Sequence, residues 1–168
     1  MTAPRITITH DSVTGGLNRL IAAGAEPARA LDPVGRVLKT RIQQGFVTST
    51  APDGRPWAAL KSRIGQPLRD KGHLMNSIDY RVEGNSLEVG TPFAHAMTHQ
   101  RGAKIEAKPG KVLRFYVEGR PVFVKRVTIP ARPIVPEDHL PDAWAKDVLD
   151  ELHDVFEAAW FGGETRGA

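Results

Sequence analysis

The pair of residues best spaced for chemistry in this sequence is His95 and His99, which stand four positions apart. On a helix this spacing places two imidazoles on one face, as in zinc metalloproteases, which also need a glutamate beside the first histidine as general base. Ala96 occupies that position here, and the neighbouring sequence offers no obvious acidic third ligand. We therefore expect the two histidines to pack and hydrogen-bond around a buried turn, and we keep a metal-dependent hydrolase only as a third hypothesis.

Other catalytic patterns are absent from the sequence. There is no phosphate-binding glycine loop and no dinucleotide-binding fingerprint, and neither Ser62 nor Ser77 stands in a nucleophile-elbow sequence. The chain has no cysteine, which excludes disulfide bonds and thiolate metal sites. Carboxylates concentrate towards the C-terminus, where an exposed helix face accounts for them. The sequence therefore predicts a protein that is not an enzyme, with no catalytic residue, no metal and no cofactor.

Charge is divided into two opposite blocks, although the formal net charge of the 168 residues is only +4. Residues 103–132 contain eight basic and two acidic residues (net +6), whereas residues 137–157 contain one basic and eight acidic residues (net −7). Such blocks can be the solvated faces of one subunit. They can also align neighbouring subunits head to tail, because complementary charge sets the register of an interface more than its strength. The sequence leaves both interpretations open.

The basic block is the candidate functional site, predicted to face either a neighbouring subunit or DNA. The pI of about 9.6 gives the DNA hypothesis only weak support. For Arg132, which lies between Pro130 and Pro133, an ion pair across an interface and a purely local role are equally open. The candidate residues are Lys104, Lys108, Lys111, Arg114, Arg120, Lys125, Arg126 and Arg132.

The N-terminal part of the chain predicts two helices that would carry this site. Residues 13–25 have helical spacing that glycines weaken. Between Ala28 and Phe46, five apolar positions recur every three or four residues, which predicts one long amphipathic helix. Pro33 fits only near the first turn of a helix, so we expect the regular part to begin about there. The five positions are Leu31, Val34, Leu38, Ile42 and Phe46.

The middle of the chain alternates turns with short elements. The turn at residues 52–54 is followed by Trp57, which we expect to close one edge of the core. A short helix is expected after Gly72, and a hairpin over residues 80–89 turns at Gly84-Asn85. A helix or turn over residues 93–99 then ends at Gly102.

A second β region is predicted over residues 104–129, with a turn at residues 118–121 between two longer strands. Prolines make the following stretch extended, and a final amphipathic helix starts after Asp142. Apolar residues recur there every four positions, which is typical of a helix packed on a core. They are Trp144, Val148, Leu152, Phe156 and Trp160.

Strands joined by tight turns predict an α+β fold, in which an antiparallel sheet of two hairpins packs against a long N-terminal helix and a C-terminal amphipathic helix. We expect one domain over residues 1–161 and a disordered tail over residues 162–168. No apolar run approaches the roughly 20 residues of a membrane helix, and residues 1–10 are typical of a strand or arm, not an export signal. A protein made in the cytoplasm without a membrane partner is therefore expected.

Four segments, taken in order, resemble the phage virion morphogenesis family, the tail completion proteins of P2-like and Mu-like phages. Their order over roughly residues 30–155 makes the resemblance specific. In this family Pro133 tends to be followed by an aromatic or apolar residue and then a glycine. This chain has Ile134-Val135-Pro136 instead, so its connection to the last helix is expected to differ. The four segments are residues 52–60, 68–78, 89–102 and 127–133.

The resemblance implies a small α+β subunit without catalytic activity, acting late in morphogenesis at the head-proximal end of the tail or at the neck. Its implied partners are further copies of itself in a ring, expected to be a hexamer, and the tail tube, tail terminator or head connector proteins. Passing DNA would be contacted without sequence specificity. The implied location is the virion, after synthesis in the bacterial host. A nucleic-acid-binding protein that uses the basic hairpin remains the alternative.

Overall fold

The computed structural model describes residues 5–7, 27–61, 64–117 and 119–161. Helices and strands alternate along this part of the chain. The helices are α1 (Pro27–Thr48), α2 (His73–Asn76), α3 (His95–Arg101) and α4 (Asp142–Phe161). The strands are β1 (Arg5–Thr7), β2 (Asp79–Glu83), β3 (Ser86–Gly90), β4 (Ala103–Glu106), β5 (Leu113–Val117), β6 (Arg120–Val124) and β7 (Arg126–Ile129).

Helix α1 lies at the centre of the fold and packs against β2, β3 and α4. All five positions of its predicted apolar stripe are buried, as are Trp144, Val148 and Leu152 on the facing side of α4. Burial of each large apolar side chain is worth about 1.5–3 kcal/mol, so the contact between the two stripes is a main source of stability. Both long amphipathic helices predicted from the sequence are thereby confirmed.

The start of α1 differs from the prediction, because the helix begins at Pro27 and contains Pro33 in its interior. A proline at the first helical position loses no hydrogen bond, since that N–H has no partner within the helix. Pro33 does lack an N–H that the helix would use, at a cost of roughly 3 kcal/mol. Ala30, Leu31 and Val34 are all buried around it, and this burial offsets the lost bond.

The first hairpin lies directly on α1, because a helix glycine leaves room for an aromatic ring. A Cβ atom added to Gly35 would come within 2.2 Å of Cδ2 of Tyr80. The Tyr80 hydroxyl donates a hydrogen bond to Asp32 Oδ1 at 2.9 Å, one turn before the glycine. The predicted turn at Gly84-Asn85 is confirmed, and β2 and β3 pair around it. Strand β1 adds to the free edge of β3, which gives an antiparallel sheet in the order β1-β3-β2.

The second β region differs from a simple hairpin of two long strands. It forms two separate two-stranded ladders, β4 with β7 and β5 with β6. The turn between β5 and β6 is shorter than predicted, since Arg120 already pairs with Val117 and Pro121 with Tyr116. Each strand of a two-stranded ribbon has an outer edge, where a proline without an N–H is tolerated.

The α+β class is confirmed, although its strands belong to three separate sheets. Trp57 closes one edge of the core as expected, with its ring edge-on to Phe46 at 5.4 Å between centroids. Short helices follow Gly72 and precede Gly102, also as expected. The predicted helix over residues 13–25 and the predicted tail over residues 162–168 lie outside the described residues. None of the helices in the described ranges is long and apolar enough to cross a membrane.

Candidate functional site

The basic block of the sequence forms a ribbon of β-strands, residues 103–129, which we call the β-ribbon. The β4–β7 ladder forms its base and the β5–β6 hairpin its tip. The backbone N–H of Ala107 donates to the carbonyl of Lys125 at 2.8 Å and continues the base ladder by one step. None of the β-ribbon residues that the structure describes is buried. The β-ribbon therefore contributes nothing to the core of its own subunit and has the character of an arm.

Gly102 connects α3 to the first strand of the β-ribbon, and its backbone conformation determines how the chain leaves the helix. Gly102 has φ 73° and ψ 171°, a backbone conformation that is almost restricted to glycine. A Cβ atom at this position would lie 2.8 Å from the nitrogen of Ala131 and 2.8 Å from the carbonyl oxygen of Ile129. The two ends of the β-ribbon thus meet in a space that only glycine fits.

Gln100, two residues before Gly102, holds the chain where it returns from the β-ribbon. Its buried side-chain amide donates to the carbonyl of Val135 at 2.7 Å. Its Oε1 accepts from the backbone N–H groups of Ile134 at 2.8 Å and Val135 at 3.1 Å. One side chain therefore satisfies three backbone groups at the point where an extended segment enters the core.

Arg132 completes this attachment and differs from the other candidate cations. It is only 5% exposed, and its guanidinium donates to the carbonyls of Ala58 at 2.8 Å and Ala59 at 3.1 Å. Burial lowers the pKa of Arg132, and its backbone N–H donates to the carbonyl of His99 at 2.7 Å. The structure therefore gives Arg132 the local role that the sequence left open, not a place on an exposed surface.

The other seven candidate cations are brought together on the exposed surface of the β-ribbon. None of them forms an ion pair with a carboxylate that the structure describes. Seven like charges repel one another, and an anionic partner would reduce this repulsion. Its assignment to a subunit interface or to DNA stays a prediction. The seven residues are Lys104, Lys108, Lys111, Arg114, Arg120, Lys125 and Arg126.

One face of the tip carries aromatic side chains that the sequence analysis did not single out. Arg114 lies opposite Phe123 in the ladder, and its guanidinium carbon is 5.9 Å from the centre of that ring and 5.4 Å from the centre of the Tyr116 ring. The two rings are 58% and 59% exposed. Alternation within β5 was the signal that could have revealed this face, since it places Arg114 and Tyr116 on the same side.

A groove between α1 and α4 carries charge of the opposite sign. It has a volume of about 400 Å³ and is lined by four carboxylates and two arginines, together with Pro33 and Val37. Arg41 forms an ion pair with Asp147, and Lys146 with Asp150 at 2.5 Å. We call it the acidic groove. Its charged lining residues are Arg36, Arg41, Asp147, Asp150, Glu151 and Asp154.

The two histidines lie on α3, where their rings meet edge-on at 6.3 Å between centroids. His95 stacks on Phe93 at 5.1 Å. His99 is half-buried, and burial, then Arg132, then His95 lower the pKa of its imidazole. In the described ranges, no three histidine or acidic side chains are grouped so that they could hold a metal ion. The geometry is that of packing around the turn at the base of the β-ribbon.

Comparison with known proteins shows both a family and a relative. Residues 8–154 match the phage virion morphogenesis family. The chain is also similar to "Mu-like prophage FluMu G protein 2" of Haemophilus influenzae, with 32% identical residues over 149 residues, which cover 86% of this chain and 89% of that protein. No solved structure matches the chain.

Proposed function

Because the chain belongs to the phage virion morphogenesis family, we propose that it is a structural subunit that completes the tail or joins it to the head by assembling into a ring. The family that the four sequence segments resemble is the one that matches over most of the chain. In this proposal the partners are further copies of the chain and the tail tube, terminator or connector proteins, and the place of action is the virion.

The observation that carries the proposal is the exposed β-ribbon. Its aromatic and aliphatic side chains, among them Ile105, Val112, Tyr116 and Phe123, are left in contact with solvent by their own subunit. Exposed strand edges and apolar side chains of this extent are costly for a monomer and are typical of surfaces that another chain covers. A subunit of a ring has such a chain on each side.

The electrostatics support a structural role and no catalytic one. Arg55 holds the pKa of Asp53 below its usual range, and Lys39 does the same for Asp79. Both pairs are exposed ion pairs of the kind that surfaces carry. Within the described part of the chain, the displaced pKa values belong to ion pairs, to Tyr80 beside Asp32, or to the attachment of the β-ribbon. None marks an acid–base pair set up to transfer a proton.

A truncated chain tests the role of the β-ribbon in assembly. Residues 108–124 are replaced by Asn-Gly, which joins Ala107 to Lys125 across the hydrogen bond that they already share. The body is expected to keep its unfolding midpoint, since no described residue in the removed part is buried. In sedimentation experiments the full chain is expected to form a closed oligomer, visible as rings in negative stain, and the truncated chain to remain monomeric.

The same variant is then examined in a phage that lacks the gene. We expect the full chain to restore joined virions, and the truncated chain to leave separate heads and tails in the lysate. If virions form normally without the gene, and the purified chain stays monomeric at high concentration, the proposal is wrong.

Nucleic-acid binding is the second candidate, favoured by the seven exposed cations and by the Arg114–Tyr116–Phe123 face, since exposed aromatics beside basic groups can stack on bases. It predicts DNA binding that weakens steeply with salt and is reduced further by neutralising Lys111, Arg114 and Lys125 together. No binding near physiological ionic strength would eliminate it. A ring that surrounds DNA would still allow weaker phosphate contacts.

A further inference from the structure

Among the described residues, no side-chain hydrogen bond, ion pair or ring contact joins Arg114, Tyr116 or Phe123 to a residue outside the β-ribbon tip. No hydrogen bond or ion pair connects its cations to α4 in the part of the chain that the structure describes. The strands of base and tip together hold nine residues along one edge, so the β-ribbon can span at most roughly 30 Å. That reach is close to the diameter of a small domain, which is enough to extend onto an adjacent copy.

The acidic groove carries the negative charge that would complement this cationic face. Arg41 and Lys146 compensate Asp147 and Asp150, whereas Glu151 and Asp154 have no cationic partner among the described residues. Both of these carboxylates line the groove, beside the apolar wall formed by Pro33 and Val37. Their uncompensated charge makes the groove complementary to a cationic, partly aromatic surface.

From this complementarity we infer that the β-ribbon tip of one copy occupies the acidic groove between α1 and α4 of the next copy, with Arg114 facing Glu151 and Asp154. This inference rests on the proposed ring and names the surfaces that form its contacts. The two surfaces are different parts of the chain, so each copy offers a tip to one neighbour and a groove to the other. A contact of this kind repeats head to tail and closes into a ring.

Two charge-reversed variants test the contact. Variant A carries Arg114→Glu, which makes the docking face of the tip acidic, and variant B carries Glu151→Lys and Asp154→Lys, which makes the groove basic. Each variant alone places like charges against each other and is expected to assemble about tenfold or more weakly than the natural chain. In an equimolar mixture, acidic tips meet basic grooves and natural tips meet natural grooves. The mixture is therefore expected to form alternating rings, which close when the number of subunits is even.

Arg81→Glu serves as the control for charge reversal away from both surfaces, because Arg81 is exposed on β2 and loses only an exposed ion pair with Glu83. It is expected to assemble like the natural chain. The lack of cysteine allows a second readout with Arg114→Cys and Asp154→Cys in one chain. Oxidation is expected to give a ladder of linked oligomers from this double variant, and no species beyond a dimer from either single variant. A and B are also co-expressed in a phage that lacks the gene, where together they should restore virions that neither restores alone.

Several outcomes would overturn the inference. If A and B each assemble as well as the Arg81→Glu control, charge at these surfaces does not hold the subunits together, although the ring itself would stand. If A fails while B assembles normally, the tip binds another virion protein or DNA and not the acidic groove. A natural chain that is dispensable for joined virions would instead contradict the proposed function.

Discussion

Gln100 and Val135 are 35 residues apart in the chain, yet they exchange two hydrogen bonds in the core, one in each direction between side-chain amide and backbone. A third bond joins Gln100 Oε1 to the N–H of Ile134. These bonds fix the segment that leaves the β-ribbon to the helix that enters it. Gln100 therefore acts together with Arg132 and Gly102 to orient the β-ribbon.

Replacing Gln100 by leucine is expected to destabilise the fold strongly. The substitution removes three hydrogen bonds to the backbone, and a longer one of 3.4 Å to Glu137. It leaves buried backbone groups of Ile134 and Val135 without partners, at about 1–3 kcal/mol for each group. We expect the free energy of unfolding in urea to fall by at least about 3 kcal/mol. Gln43→Leu is the control, since Gln43 makes one long bond of 3.3 Å at the half-exposed edge of α1 and should lose less than about 1 kcal/mol.

Gly102→Ala is expected to disturb the start of the β-ribbon more than Gly110→Ala disturbs its loop. Both glycines have φ 73°, so both substitutions carry a backbone cost, which at Gly102, with ψ 171°, is about 1–3 kcal/mol. Only at Gly102 would the new Cβ collide with the backbone of Ile129 and Ala131. We expect Gly102→Ala to be less stable than Gly110→Ala by a further 1–3 kcal/mol, roughly the cost of overpacking. Equal unfolding midpoints for the two variants would contradict this account of Gly102.

Gly35→Ala tests the contact between α1 and the first hairpin. Alanine normally stabilises a helix interior by about 0.5–1 kcal/mol relative to glycine. Here the added methyl group would meet the Tyr80 ring at 2.2 Å, so we expect a net loss of about 1–3 kcal/mol instead. In the double variant with Tyr80→Ala the collision is removed. The two substitutions should therefore be less damaging together than the sum of their separate effects, as measured by a double-mutant cycle.

The helices were predictable because burial in them follows a period that the sequence displays. Leu31, Val34, Leu38, Ile42 and Phe46 are all in the core, as their spacing requires. The start of α1 was not predictable from Pro33 alone, because the burial that compensates for this proline comes from tertiary packing. Intrinsic helix propensity is a weak predictor at positions where tertiary packing determines the conformation.

The sequence predicted which basic residues belong to the candidate site, but it did not predict how the fold arranges them. The sequence showed that eight cations are clustered, but formal charge does not distinguish Arg132 from the other seven. Its partners are the carbonyls of Ala58 and Ala59, more than 70 residues earlier in the chain. Gln100 gave no signal at all, since glutamine is ordinarily a surface residue. The division of the β-ribbon into a β4–β7 ladder and a β5–β6 ladder was not predicted either. Strand register depends on turn geometry as well as on the alternation of residue types.

His99 makes the stability of this attachment dependent on pH. Burial, Arg132 and His95 all lower the pKa of its imidazole below the ordinary value near 6.5. The unfolded chain therefore binds more protons than the folded chain at pH values just below 6.5. By linkage, this group's contribution to stability is present above pH 6.5 and is lost as the pH falls towards the lowered folded pKa.

We expect the free energy of unfolding to decrease between pH 7 and pH 5, and His99→Gln to make this decrease smaller. His73→Gln, at an exposed position on α2, is the control for loss of an imidazole outside the attachment of the β-ribbon. The measurement is urea unfolding at several pH values above about 4.5, where the carboxylates of Asp53 and Asp79 stay ionised because their pKa values are lowered. Arg132→Gln should also reduce the slope, since it removes one cation that disfavours the protonated imidazole. An identical slope in the natural chain and in His99→Gln would show that His99 titrates in the same way in the folded and unfolded states.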